Sequence, residues 1–267
     1  MANKRKNNWF EPQGSISKRS YTLISISCFV LFLAVWSLLT YTGIIDKLFL
    51  PTPTDIITAG IQLFTEFNFI HDVGITIYRV FAGFLLAALV GIPLGILIGT
   101  YKPVEAFFEP MVSFIRYMPA SAFIPLFILW IGIGETEKIT VIFVGSVFSI
   151  ILMTAVEVSN VRKEYLEAAY TLGSTKWSVL KSVILPASLP GIMEINRLVL
   201  GWAWTYIVVA EMIAAESGIG HVILESQRML RTENIIFGII TIGLIGLISD
   251  AVMKKVIHKT FRWNYGG

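Results

Sequence analysis

The sequence predicts an all-α integral membrane protein with six transmembrane helices and a short cytoplasmic helix between the fourth and fifth of them. Three observations carry that prediction. Of 267 residues, 55% are hydrophobic and only 15% charged, which leaves too little polar surface for a soluble domain of this size. The mean hydropathy is correspondingly high, +0.73. Apolar blocks long enough to cross a bilayer recur along the chain, and within lipid a helix satisfies every backbone polar group inside its own segment.

Residues 1–20 read as a polar tail carrying Lys4, Arg5, Lys6, Lys18 and Arg19. The first apolar block, 21–40, has the roughly 20 residues that a span needs. It is longer than a cleaved signal core and has no small-residue cleavage site, so it reads as a retained span. Next comes FLPTPTDII, whose prolines break one helix and permit another after Thr54. Ile57, Ile61 and Phe64 follow at helical spacing, which predicts an amphipathic helix along the outer interface. Blocks 74–100, 107–133, 139–158, 183–215 and 235–257 supply the remaining spans. Together they make one membrane domain, 21–262, between tails 1–20 and 263–267.

Basic residues orient the chain. With the amino terminus inside, fourteen Lys and Arg flank cytoplasmic ends, whereas Lys47, Lys138, Arg228 and Arg231 lie outside. That asymmetry predicts both termini in the cytoplasm. Trp36 and Trp130 fall where interfacial anchors are expected.

Pro119 and Pro125 in the third span, and Pro186 and Pro190 opening the fifth, predict kinks or non-helical turns. Such breaks either line a pathway or only bend a packed helix. Gly83, Ala87, Gly91, Gly95 and Gly99 form a stripe of small residues on the second span, suited to close helix packing within one subunit or across a dimer seam. Charges inside spans are costly and therefore informative. Arg79 lies in the outer third of the second span and Arg116 toward the inner part of the third; both are candidates for offering positive potential to an anion. Glu194 and Arg197, spaced i, i+3 on the fifth span, read as a local ion pair or a ligand contact. Glu211 either faces a solvated vestibule or reaches the interface. Trp204 lies deeper, as path lining or core packing.

Catalytic chemistry finds little support. His71, His221 and His258 have no metal-ligand spacing, and the single Cys28 excludes an intrachain disulfide. No phosphate-binding loop of the GxxxxGK[ST] type is present, so an ATP-driven process requires a partner subunit.

One polar interruption separates the fourth and fifth spans. Residues 164–186 read EYLEAAYTLGSTKWSVLKSVILP. Tyr165, Ala169 and Leu172 fall on one helical face, Gly173 can end that helix in a left-handed conformation, and Ser174 is placed to cap the next helix.

Glu167-Ala168-Ala169, then Gly173 after three residues, then Val183-Ile184-Leu185-Pro186 after nine more, resembles the EAA signature of bacterial ABC import permeases. Val183 stands where the pattern has isoleucine. IPLFILWIGIGETEK, WTYIVVAEMIAAESGIG and FLPTPTDII are similar to segments of taurine, sulfonate and nitrate permeases; RYMPASAFIP departs from the taurine type, which has further prolines and a tryptophan there. The resemblance implies the type I ABC importer permease fold, in which this loop forms a coupling helix. Glu167, Ala168, Ala169, Gly173, Leu185 and Pro186 would then engage a separate ATPase. Arg79, Arg116, Arg197, Trp204 and Glu211 would be translocation-path candidates. The implied assembly contains two ATP-binding subunits, a second permease copy and an extracytoplasmic solute-binding protein, in the bacterial inner membrane. ATP is used by the partner, and this chain holds no cofactor or metal. The implied cargo is a small anion of the sulfonate, taurine, nitrate or bicarbonate class. A self-sufficient secondary transporter or channel is the rival, and it would show internal symmetry or several intramembrane carboxylates.

Overall fold

A computed structural model describes residues 16–265; the predicted tail charges Lys4, Arg5 and Lys6 lie outside the described residues. The first helix, α1 (Lys18–Tyr41), begins three residues before the expected boundary because Ser17 caps it, accepting from the Ser20 amide. Its side chains are exposed along nearly its whole length, with Thr40 buried, as suits a helix surrounded by lipid. The C-terminal end of α1 is tied back by Trp36, whose indole Nε1 donates to the Pro51 carbonyl at 3.1 Å.

Thr52 then starts α2 (Pro53–Glu66) with a reciprocal capping box to Asp55. This helix is apolar on two sides. Ile56, Ala59, Gly60 and Leu63 are buried, and Gly60 seats the Phe237 ring, while the predicted stripe of Ile57, Ile61 and Phe64 faces outward.

The centre of the fold is α3 (Phe69–Thr100), packed along its length on α6 (Glu135–Ser159), with α4 (Lys102–Arg116) and α5 (Ile124–Ile131) between them in sequence. The glycine stripe explains that pairing. A methyl group on Gly83, Gly91 or Gly95 would stand 2.6, 2.8 and 2.6 Å from Ile142, Ile150 and Thr154 respectively. These glycines therefore serve contact within one subunit, where close backbone approach maximises van der Waals packing. Gly95→Val is expected to cost about 1–3 kcal/mol by overpacking, read as a lowered melting temperature of the detergent-solubilised protein. Unchanged melting would argue that the stripe does not carry this interface.

The expected third span is not one straight helix. α4 and the segment beginning at Ala120 are inclined by 83°. Pro119 removes a backbone donor and disfavours helical Met118, so residues 117–119 leave the helix before a 3-10 turn, Ala120–Phe123, and α5 with Pro125 in its first turn. Among the described residues, five helices are individually long and apolar enough to cross a membrane, and the bent pair meets the same measure when its two parts are taken together.

Beyond α6 come α7 (Lys163–Thr171) and α8 (Lys176–Val179), then a π-helical stretch, Leu180–Ile184, which continues into α9 (Leu185–Ala214). The chain closes with α10 (Ile219–Arg228), α11 (Thr232–Thr260) and α12 (Arg262–Tyr265). α9 packs against α6 and α11, and α10, which links α9 to α11 in the chain, packs on both. Trp204 is 3% exposed and packs in the main core with Val80, Phe84 and Ile207.

Candidate functional site

The loop between α6 and α9 is a helix, a tight corner and a second helix, as its residues predict. Gly173 has φ +82°, a conformation that other residues adopt at a cost. Its N–H donates to the Tyr170 carbonyl at 2.9 Å, and the Ser174 N–H donates to the Ala169 carbonyl at 3.0 Å. Those two bonds make a Schellman ending for α7. The cap of the next helix falls one residue later than predicted. Thr175, not Ser174, is extended and accepts from the Ser178 N–H at 3.3 Å.

The predicted stripe on α7 is divided. Ala169 turns inward with Leu166 onto Val158, Val179, Leu180, Ile184 and Ile192. Leu185 packs on the same cluster, and Pro186 is exposed in the first turn of α9. Tyr165, Tyr170, Leu172 and Trp177 form the exposed apolar surface, with Leu172 as much as 86% accessible. Glu167 and Ala168 are exposed beside them. This is an outward-facing aromatic and aliphatic surface on a rigid corner, anchored from below.

At the other end of the molecule, two predicted path residues meet. Arg79 is 1% exposed and its Nη1 donates to Glu211 Oε1 at 2.7 Å and to the Ser217 carbonyl at 2.8 Å. Its Nε donates to Glu135 Oε2 at 2.7 Å. Glu211 is wholly buried, and accepts from the Thr76 hydroxyl at 2.8 Å and the Gly220 N–H at 2.9 Å. Thr76 Oγ1 in turn accepts from the Ile219 N–H at 3.0 Å, and Asp72 accepts from the Gly218 N–H at 2.7 Å. Neither side chain therefore lines a path here. Two carboxylates compensate Arg79, and Glu211 reaches neither vestibule nor interface, because together they fasten the loop after α9 to α3 and α6. Gly218, φ +109°, has no room for a Cβ, which would stand 2.7 Å from Arg79 Nη1.

The pair on α9 is a local ion pair, as its spacing allows, and also more than that. Arg197 Nε donates to Glu194 at 2.8 Å, while its Nη1 reaches Asp250 on α11 at 2.8 Å.

Arg116 is placed differently. It is exposed at the end of α4, 5.0 Å from the Tyr117 ring centroid, and lines a cavity of about 200 Å³ at the break in the third span. Tyr117, Gly145, Phe148, Ser149 and Tyr206 also line that space.

Residues 91–262, which include this loop, the broken span and the final two spans, match the family described as binding-protein-dependent transport system inner membrane component. The chain belongs to this permease family. A putative aliphatic sulfonates transport permease of Bacillus subtilis (strain 168) is 34% identical to the permease over 232 residues, 86% of this chain and 84% of the relative. The taurine transport system permease of Escherichia coli (strain K12) is 31% identical over 247 residues, 90% of each chain. Among solved structures, a chain of the MetNI methionine ABC transporter superposes with a TM-score of 0.60 at 20% identity, covering 70% of this chain and 95% of that one. That likeness establishes the type I ABC importer permease fold.

Of the charged contacts made by Arg79 and Arg197, only the Glu194–Arg197 pair of the permease is legible from spacing along one helix. Nothing in the spacing ties Thr76 to Glu211, Glu135 to Arg79 or Asp250 to Arg197, since each contact crosses between helices far apart in the chain. Tyr206 and Ser149 were missed for the same reason; a polar side chain within an apolar block was the available signal.

Proposed function

We propose that this permease forms the translocation pathway of an ATP-driven importer for a small anion of the sulfonate, taurine, nitrate or bicarbonate class, and couples that pathway to a separate ATPase. The observation that carries the coupling role is the exposed corner of α7, Gly173 and α8. It bears the EAA spacing, presents Tyr165, Leu172 and Trp177 outward, and rests Leu166 and Ala169 on the fifth span through Leu180 and Ile184. Apolar and aromatic side chains of this kind supply the buried anchors of protein interfaces, and Glu167 adds a charge for a basic partner residue. A push on this corner is transmitted directly into α9.

The assembly we infer contains two copies of the permease, two ATP-binding subunits and an extracytoplasmic solute-binding protein, and sits in the bacterial inner membrane. Both termini are cytoplasmic by the distribution of Lys and Arg. Nucleotide binding belongs to the ATPase. Hydrolysis there shifts the spans as near-rigid bodies, alternating access to a central space. The anion class is supported by the names of the sulfonate and taurine relatives and by the uncompensated Arg116.

Co-expression with a candidate ATPase and binding protein, reconstitution in proteoliposomes and uptake of labelled taurine, methanesulfonate or nitrate test this reading. ATP-dependent accumulation of one of these anions is expected. Flux through the chain alone, without ATPase, would favour a secondary transporter or channel instead.

A further inference from the structure

We propose that the cavity at the break of the third span is a contact site for the anionic head of the carried solute, with Arg116, Tyr206 and Ser149 as its polar groups. The inference rests on the anion-importer reading above and adds where, and by which side chains, this chain touches its cargo.

Depth is the first argument. Gly145 and Ser149 are the eleventh and fifteenth of the 25 residues of α6, so the cavity lies at mid-span. Non-helical backbone at that depth is tolerated only where it is buried in protein or lines a hydrated space. Residues 117–119 are such backbone, and Tyr117 and Met118 are exposed rather than packed. The break therefore faces away from the packed core of the single chain, next to the cavity.

Charge is the second. Arg79, Lys138 and Arg197 lie 2.7, 3.6 and 2.8 Å from Glu211, Glu137 and Glu194 respectively. Arg116 has no carboxylate partner among the described residues; its recorded neighbour is Tyr117, whose hydroxyl is 3.4 Å away. An unpaired guanidinium deep within a span is costly, and such groups face a water-filled cavity or a ligand. Here the fold pairs Arg79, Lys138 and Arg197 with carboxylates and leaves Arg116 facing the cavity.

Two more donors point the same way. The hydroxyls of Tyr206 and Ser149 make no hydrogen bond among the described residues, although Ser149 is only 8% exposed. Gly145 permits the arrangement, since a Cβ there would stand 2.7 Å from the Tyr206 ring. A guanidinium and two hydroxyls suit a compact oxyanion such as a sulfonate. Met118, Phe123 and Phe148 offer a short apolar body somewhere to lie. At about 200 Å³ the space is smaller than the roughly 300–1,000 Å³ of pockets for drug-sized ligands, so a long alkyl chain is excluded.

The test uses the reconstituted complex in which the permease's single cysteine is replaced, Cys28→Ser, and Ala120→Cys is the reporter on the cavity wall. Labelling by an anionic methanethiosulfonate (ethylsulfonate) is compared with labelling by a cationic one (ethyltrimethylammonium). The anionic reagent is expected to react faster, and Arg116→Gln to reduce that preference about tenfold or more, given the strength of a nearby charge in a partly desolvated site. Methanesulfonate or taurine should slow labelling, and uptake should fall about tenfold in Arg116→Gln and less in Tyr206→Phe. Equal labelling by the two reagents, no labelling by either, or no protection by any anion overturns the site. If instead an acidic residue of a second copy pairs with Arg116, Arg116→Gln weakens dimer assembly in size-exclusion runs without altering reagent preference, which also overturns it. Failure of wild-type uptake for every anion, with intact ATPase association, counts against the importer reading rather than the site alone.

Discussion

Gly173→Val is expected to abolish ATP-coupled uptake while leaving the permease inserted and monodisperse. The reason is conformational rather than steric: Gly173 has φ +82°, and nothing lies within 4 Å of where its Cβ would be. A β-branched residue there costs roughly 1–2 kcal/mol for the left-handed conformation alone, enough to open the Schellman turn made by the Gly173 and Ser174 amides. The corner would then splay, and the exposed Tyr165, Leu172 and Trp177 would lose their common surface. Gly173→Asn is the control, because asparagine enters the left-handed region more readily. Uptake by the asparagine variant should exceed that of the valine variant several-fold, with ATPase association following the same order. Equal activity of the two would mean that the corner's geometry does not matter to coupling.

Arg79→Met is expected to produce the largest loss of stability of any single substitution in the outer half of the molecule. Removing one partner of a buried pair leaves an uncompensated charge and costs roughly 3–5 kcal/mol; here Glu211 would be stranded, at 0% exposure. The loop after α9 would also lose the bond from Arg79 to the Ser217 carbonyl. Arg79→Lys should recover only part of the loss, since a single ammonium cannot reproduce the fork that spans Glu135 and Glu211. Thermal unfolding in detergent reads this directly, and Arg79→Met combined with Glu211→Gln should be milder than the arginine change alone. A melting temperature within about 2 °C of wild type, where roughly 1 kcal/mol shifts a protein this size by 2–4 °C, would contradict the buried knot.

These two sites differ in how legible they were. The coupling corner could be read almost residue by residue, since a left-handed glycine, a helix end and an amphipathic face are local properties. Only the inward turn of Ala169 and the transfer of the cap to Thr175 needed coordinates, because both follow from what lies beneath the loop. The outer knot was legible as isolated costly charges. Arg79, with 1% exposure and two carboxylates, became a fastening rather than a lure for an anion once α6 and the loop after α9 were placed against α3.

By itself, then, the sequence of this permease determined its all-helical class, most of its long apolar helices and the shape of the corner at Gly173. Each depends on composition, periodicity or backbone preference within about one segment. The tertiary structure alone decided which charges are neutralised, that Trp204 belongs to the core, and that the third span turns by 83° around a cavity holding Arg116. Those outcomes depend on helix pairing, and in lipid that pairing follows side-chain shape and interhelical polar contacts, which no single span's hydropathy records.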